Sequence, residues 1–66
     1  MFNLDKFKGS RFVGFKTIVN NDGSVNKKYV NFVDATFFDD QKRSSTVRFR
    51  KEYVPQFKEA LKENGY

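Results

Sequence analysis

The stretch from Thr46 to Leu61 reads TVRFRKEYVPQFKEAL, and the spacing of its apolar residues changes at Lys51. Up to Arg50, apolar and polar residues alternate strictly, which is typical of a β-strand with one buried and one exposed face. Beyond Lys51, apolar residues recur at spacings of three and four, as on the buried side of an amphipathic helix: Val54, Phe57, Ala60 and Leu61. The sequence therefore predicts a strand followed by a C-terminal helix.

The ends of this helix are also marked in the sequence. Pro55 is compatible with a helix only in its first turn, where the missing N–H would have no helical partner. Asn64-Gly65 is a typical helix stop, because both residues tolerate the left-handed conformation.

Two further extended segments precede this unit. Arg11 to Val19 is rich in aromatic and β-branched residues and ends at the turn signal of residues 20–23, Asn-Asn-Asp-Gly. A longer extended segment runs from Val25 to Phe38, and a polar connector follows it. Phe2, Leu4 and Phe7 allow one more short strand within Met1 to Lys8.

The fold class is therefore predicted as α+β: one domain, residues 1–66, with a small twisted antiparallel sheet of three to four strands followed by one C-terminal amphipathic helix. A small barrel such as the OB-fold remains an alternative on sequence grounds.

Composition excludes several classes of function. The chain has 66 residues and contains neither His nor Cys, so zinc fingers, iron–sulfur sites, disulfides and thiol or imidazole catalysis are absent. Asp34, Asp39 and Asp40 could be imagined as a metal-binding carboxylate cluster, but adjacent Asp residues are common in turns and no general base accompanies them. We expect a protein that is not an enzyme and needs no cofactor or metal.

The sequence contains no apolar run of the roughly 18 residues that a membrane span needs. Its first ten residues lack the apolar core of a signal peptide. We therefore expect a cytoplasmic protein with no membrane partner.

A basic excess coincides with many aromatic residues. There are 13 Lys and Arg against 8 Asp and Glu, together with nine Phe and three Tyr. Residues 27–51 alone carry seven cations and three anions, whereas residues 52–66 are nearly neutral. If the helix covers one face of the sheet, the other face is the basic one, which favours an anionic partner.

The last strand places two of these cations together. Val47 and Phe49 are predicted to face the helix, so Arg48 and Arg50 share the opposite face, about 7 Å apart. They could bind phosphates, or they could form an ordinary solvent face that pairs with an Asp on a neighbouring strand.

The first strand adds a candidate stacking residue. If Val13 and Phe15 point inward, Phe12 and Lys16 point outward, and an aromatic ring beside a cation is typical of a base-stacking platform. Alternatively, Phe12 and Ile18 cover a second, minor core or a dimer interface.

The segment from Val25 to Phe38 is apolar on both sides, so one side must meet something besides the helix. Tyr29, preceded by Lys27 and Lys28, is the better ligand candidate, and Phe32 and Phe37 are predicted in the core. Lys42 and Arg43 in the connector are placed to reach phosphate.

Residues 47–61 resemble the last strand and the start of the helix in the positive-cofactor-four family of transcriptional coactivators. The positions that fit the family pattern are Val47, Phe49, Glu52, Val54, Phe57, Lys58, Glu59 and Leu61. The resemblance implies a twisted sheet followed by a helix, a homodimer, and binding of single-stranded DNA across basic and aromatic sheet residues.

The function predicted from these features is low-specificity binding of single-stranded nucleic acid, DNA first and RNA as an alternative. The predicted contacts are Phe12, Lys16, Lys28, Tyr29, Lys42, Arg43, Arg48 and Arg50. Two other hypotheses remain open. One is a small phage- or plasmid-type regulator that docks on a host protein, and the other is a chromatin-type protein on duplex DNA.

Overall fold

A three-stranded antiparallel sheet in the order β1-β2-β3, with one helix against it, forms the fold in a computed structural model that describes residues 2–66. The elements are β1 (Arg11–Thr17), β2 (Phe32–Phe38), β3 (Ser44–Arg50) and α1 (Val54–Glu63), with single 3-10 turns at Asp5–Phe7, Lys27–Tyr29 and Lys51–Tyr53. The predicted α+β class, with its sheet followed by a C-terminal helix, is confirmed. None of the helices within residues 2–66 is long and apolar enough to cross a membrane.

The N-terminal segment does not add a strand within residues 2–8. Leu4 and Phe7 are instead buried around a 3-10 turn, and the Phe7 ring stacks on Phe37 with centroids 4.1 Å apart. The prediction of a fourth strand is therefore wrong over these residues, and Met1 lies outside the described residues. The segment still contributes to the core, because its apolar residues pack against the sheet without pairing with it.

The second extended segment is shorter than predicted. Around the predicted turn, Val25 forms only an isolated bridge with Val19, and β2 begins at Phe32. Between them, the 3-10 turn Lys27–Tyr29 is capped by Asn26, whose side-chain oxygen accepts a hydrogen bond from the Lys28 N–H at 2.9 Å. This local cap competes with strand pairing.

A β-bulge in β1 changes which side chains face the helix. The β1–β2 register shifts between Phe12 and Gly14, so that Phe12 lies opposite Phe37 and Phe15 lies opposite Ala35. One extra residue on a strand reverses the alternation of side chains beyond it. Phe12 and Phe15 consequently share the helix-covered face, while Val13, predicted inward, is half exposed. Gly14 has φ +156°, a conformation that favours glycine.

The core lies between the sheet and α1, and Phe57 is at its centre. Phe57 is fully buried, and its ring lies 4.8–6.4 Å from five others, which belong to Phe2, Phe12, Phe15, Phe37 and Phe49. Ala60 and Leu61, one helical turn further, are buried beside it. The predicted apolar side of the helix is therefore confirmed.

Both ends of α1 follow the sequence signals. Pro55 lies in the first turn, and the Asn64 backbone N–H donates to the Ala60 and Leu61 carbonyls. Gly65 has φ +82°, which lets the chain reverse so that the Tyr66 hydroxyl donates to the Phe7 carbonyl at 2.6 Å. This contact joins the last residue to the N-terminal 3-10 turn.

Replacing Phe57→Ala should unfold the protein. Truncating a buried Phe costs about 3–5 kcal/mol, and a chain of this length is stable by about 3–10 kcal/mol. Urea denaturation followed by circular dichroism should therefore show loss of most or all of the folded baseline. The exposed Lys58→Ala is the matched control and should change stability by no more than about 0.5 kcal/mol. A Phe57→Ala variant as stable as the control would contradict the central position of this ring.

Candidate functional site

The sheet face turned away from α1, called the open face here, presents side chains in rows that cross the strands. Successive rows follow from the strand register: Phe32 with Arg50; Lys16, Asp34 and Arg48; Gly14, Thr36 and Thr46; Arg11, Phe38 and Ser44. Three of the four cations and one of the two aromatic rings in these rows lie in the first two rows. The open face is therefore polarised along the strands.

Tyr29 lies at the end of the open face where β2 begins. The 3-10 turn before β2 folds its ring against Phe32, with centroids 5.7 Å apart and planes at 83°. We call the set Lys16, Lys28, Tyr29, Phe32, Asp34, Arg48 and Arg50 the aromatic–basic end. Its four cations and one anion give a net charge of +3.

An arginine guanidinium group lies over each of the two aromatic rings at this end. The Arg48 Cζ lies 4.5 Å from the Tyr29 ring centroid, and the Arg50 Cζ lies 5.5 Å from that of Phe32. The Lys28 Nζ is 5.5 Å from the Tyr29 centroid as well. Guanidinium groups are planar and stack well on aromatic faces. Rings and cations therefore form one mixed surface.

Arg48 is the most constrained of these cations. It donates to Asp34 on the neighbouring strand through Nε at 2.9 Å and through a terminal nitrogen at 3.2 Å. This hydrogen bond, more than any other contact, raises the pKa of the Arg48 guanidinium above its ordinary value. Arg48 thus pairs with an Asp on a neighbouring strand, which was one of the two alternatives that the sequence left open. The Asp34 carboxylate offsets the Arg48 charge. Lys16, opposite Asp34 from β1, and Arg50 have exposed side chains.

Phe12 is a correction to the predicted site. Its ring contacts Phe15, Phe37 and Phe57 on the helix-covered face, with centroids 5.2–6.4 Å apart. The outward orientation predicted for it assumed unbroken alternation along β1, which the bulge interrupts. Phe12 therefore cannot stack a ligand on the open face.

Phe32 is a second correction, and its direction is opposite to that for Phe12. It was expected in the core, but it is half-buried on the open face beside Tyr29 and opposite Arg50. The sequence does contain a signal, because alternation along β2 puts Phe32 out of phase with Val33, Ala35 and Phe37. Ile18 is buried separately from the main core, next to the segment whose Asn26 N–H donates to its carbonyl at 3.3 Å.

Lys42 and Arg43 lie at the other end of the sheet, in the β2–β3 turn. The Arg43 Nε is 3.4 Å from an Asp39 carboxylate oxygen, and a terminal nitrogen of Arg43 donates to Gln41. The Arg43 backbone N–H also donates to Asp39, and this is the main reason that the pKa of Asp39 is lowered. The structure does not bring these two cations together with Tyr29, so the predicted site divides into two groups.

No group of three or more potential ligand residues within residues 2–66 is arranged to hold a metal ion. A groove of about 520 Å³ lies beside the end of β3 and is lined by Phe2, Phe49, Arg50, Tyr53 and Gln56.

Comparisons of this chain with protein-family models, with curated proteins and with solved structures found no match. The strand and helix over residues 47–61 have the order that the resemblance to the positive-cofactor-four family implies. The resemblance to that family stays a prediction.

Thr36, at the centre of the open face, allows a test of how tightly this surface packs. It is 3% exposed, and within residues 2–66 its hydroxyl oxygen finds no hydrogen-bond partner. A buried polar group without a partner is destabilising, so Thr36→Val should raise the free energy of unfolding by about 1 kcal/mol. The exposed Thr17→Val is the control and should be nearly neutral. Destabilisation of Thr36→Val in urea titrations would mean that the hydroxyl is hydrogen-bonded in solution.

Proposed function

We propose that the chain is a non-enzymatic, low-specificity binding protein for single-stranded nucleic acid, with DNA as the expected ligand, and that it acts in the cytoplasm. The observation that carries this proposal is the aromatic–basic end, where Tyr29 and Phe32 each lie under a guanidinium group on an exposed sheet face. Single strands are bound without sequence preference where aromatic rings stack bases and nearby cations hold phosphates.

The residues have different roles in this proposal. Tyr29 and the guanidinium plane of Arg48 stack a base, because flat groups with π-faces accept any base. Lys16, Lys28 and Arg50 bind phosphates through their unpaired charge. Phe32 supports the Tyr29 ring from its edge. Lys42 and Arg43 extend the contact along the strands if the bound segment is long enough to reach the β2–β3 turn.

Asp34 sets how many phosphates the surface neutralises. Since its carboxylate offsets Arg48, three cations remain to replace counterions on the ligand. The logarithm of the binding constant should then fall against the logarithm of salt concentration with a slope of about −2, at roughly 0.7 per phosphate. The resemblance over residues 47–61 points to the same ligand class.

A fluorescence titration with a labelled single-stranded oligonucleotide at several salt concentrations tests the proposal. Tyr29→Ala should weaken binding by about 1–3 kcal/mol through loss of one stacked base, and Arg50→Ala should reduce the salt slope by about 0.7. Tyr53→Ala, an exposed tyrosine outside the open face, and Lys58→Ala are the matched controls. No binding at low salt, or equal losses in variants and controls, would refute the proposal.

The same titration separates the other ligands. A duplex bound more tightly than the single strand would support a chromatin-type protein, and tighter binding of the RNA oligonucleotide would assign RNA. Failure to bind any of the three would leave the host-protein hypothesis, which a pull-down with Arg48→Glu/Arg50→Glu as the negative control would examine.

Asp34→Asn should strengthen nucleic-acid binding. The amide keeps the shape of the side chain but removes the negative charge beside Arg48, so a fourth cation becomes free to contact phosphate. The salt slope should steepen from about −2 to about −3. The control is Asp22→Asn in the turn before Val25. If Asp34→Asn leaves both the nucleic-acid affinity and the salt slope unchanged, the role given to the Asp34–Arg48 ion pair is contradicted.

A further inference from the structure

The two edges of the sheet differ in a way that concerns association. On β1 the bulge at Phe12–Gly14 interrupts the edge, and bulges are a common protection against pairing with another chain. On β3 the register with β2 is continuous from Ser44 to Arg50. β3 has one neighbour in the sheet, and five of its seven residues are exposed. Within residues 2–66, the β3 edge is thus a regular strand edge that no bulge interrupts and no further strand covers.

The hydrogen bonds at both ends of β3 show which groups face this edge. The Asp39 N–H donates to the Arg43 carbonyl at 3.0 Å, and the Lys51 N–H donates to the Asn31 carbonyl at 2.8 Å. Odd-numbered residues of β3 therefore direct their backbone groups to β2. Because successive residues point to opposite sides in an antiparallel ladder, the even-numbered residues offer theirs to the free edge: Ser44, Thr46, Arg48 and Arg50.

We propose that two copies of this chain associate through their β3 strands, antiparallel and about a twofold axis at Val47, to form a continuous six-stranded sheet. In this register Thr46 lies opposite the partner's Arg48, and Ser44 lies opposite the partner's Arg50. All four are even-numbered residues, so they form the hydrogen-bonded pairs. The whole of β3 is paired from end to end.

Charge selects this register over its neighbours. An axis at Arg48 places the two Arg48 side chains directly opposite each other, and an axis at Thr46 places Lys42 opposite the partner's Arg50. Like charges at directly opposite positions destabilise an antiparallel pair. With the axis at Val47, every arginine faces Ser or Thr. The two Arg48 side chains meet only on a diagonal, and each is paired with its own Asp34.

The helix-covered side adds apolar contact to the same interface. Val47 is half-buried in the single chain. In the dimer it lies opposite the partner's Val47 in a non-hydrogen-bonded pair, the type of pair in which side chains approach most closely. The groove lined by Phe2, Phe49 and Tyr53 adjoins the end of β3, where the partner's Ser45 lies opposite Phe49. The occupant favoured by backbone, charge and apolar surface is accordingly a second copy.

Sedimentation equilibrium of the full chain, without oligonucleotide, tests this inference independently of the proposed function. The mass should rise with concentration from 7.8 kDa towards twice that value. Thr46→Glu should tighten the dimer and Thr46→Lys should loosen it, because each dimer contains two contacts with the partner's Arg48. The expected change is about 2- to 30-fold in the dimer dissociation constant, in opposite directions.

Proline variants separate edge pairing from other modes of dimerisation. Thr46→Pro removes an N–H that faces the free edge, which an edge strand tolerates, and should abolish the dimer while circular dichroism stays unchanged. Thr17→Pro, the equivalent change on the β1 edge, should leave the dimer intact. If Thr46→Pro disturbs the fold, the opposite effects of Thr46→Glu and Thr46→Lys on the dimer dissociation constant still test the proposal. A chain that is monomeric at millimolar concentration, or a dimer indifferent to the charge at residue 46, would overturn the proposal.

Discussion

The contact of Phe57 with five other aromatic rings is the interaction on which the rest of the structure depends. Within residues 2–66 a single regular helix covers a three-stranded sheet, so only one face of that sheet becomes a dry core. Phe57 selects that face, because its ring fits among side chains contributed by all three strands and by the N-terminal segment. Everything that the open face presents, including its charge, is what this choice leaves uncovered.

The sequence was sufficient to predict β3 and α1, because a change of period from two to between three and four distinguishes a strand from a helix without tertiary information. It was insufficient for β1. Val13 inserts one residue into the strand, and nothing in its identity indicates which alternation the fold adopts on either side. Packing against Phe57 decides the matter by favouring Phe12 and Phe15 on one face.

The candidate site was predicted in part for a similar reason. Arg48 and Arg50 follow from the alternation of β3, and both lie on the open face as expected. The position of Tyr29 was predicted less well, since it was placed within one continuous extended segment from Val25 to Phe38. The capped 3-10 turn breaks that continuity and brings the ring beside Phe32 on the open face. Pairwise contacts such as Arg48 with Asp34 need the register between strands, which one sequence does not reveal.

Arg48 is held from two directions, by the Asp34 carboxylate and by the Tyr29 ring. A long side chain fixed in this way has already lost most of its rotamer freedom in the folded protein, so a ligand that stacks on it does not have to order it again. The surface combines this ordered arginine with the exposed side chains of Lys16, Lys28 and Arg50 around it.

The central position of Phe57 also determines when, during synthesis, the apolar face of the sheet becomes covered. Phe12, Phe15, Phe37 and Phe49 all precede it in the chain, so a ribosome synthesises the sheet before the helix that covers it. Until the helix is free to fold, these four rings have no Phe57 to pack against. They are then available to chaperones or to a neighbouring nascent chain, and any delay in completing the helix would lengthen this exposure.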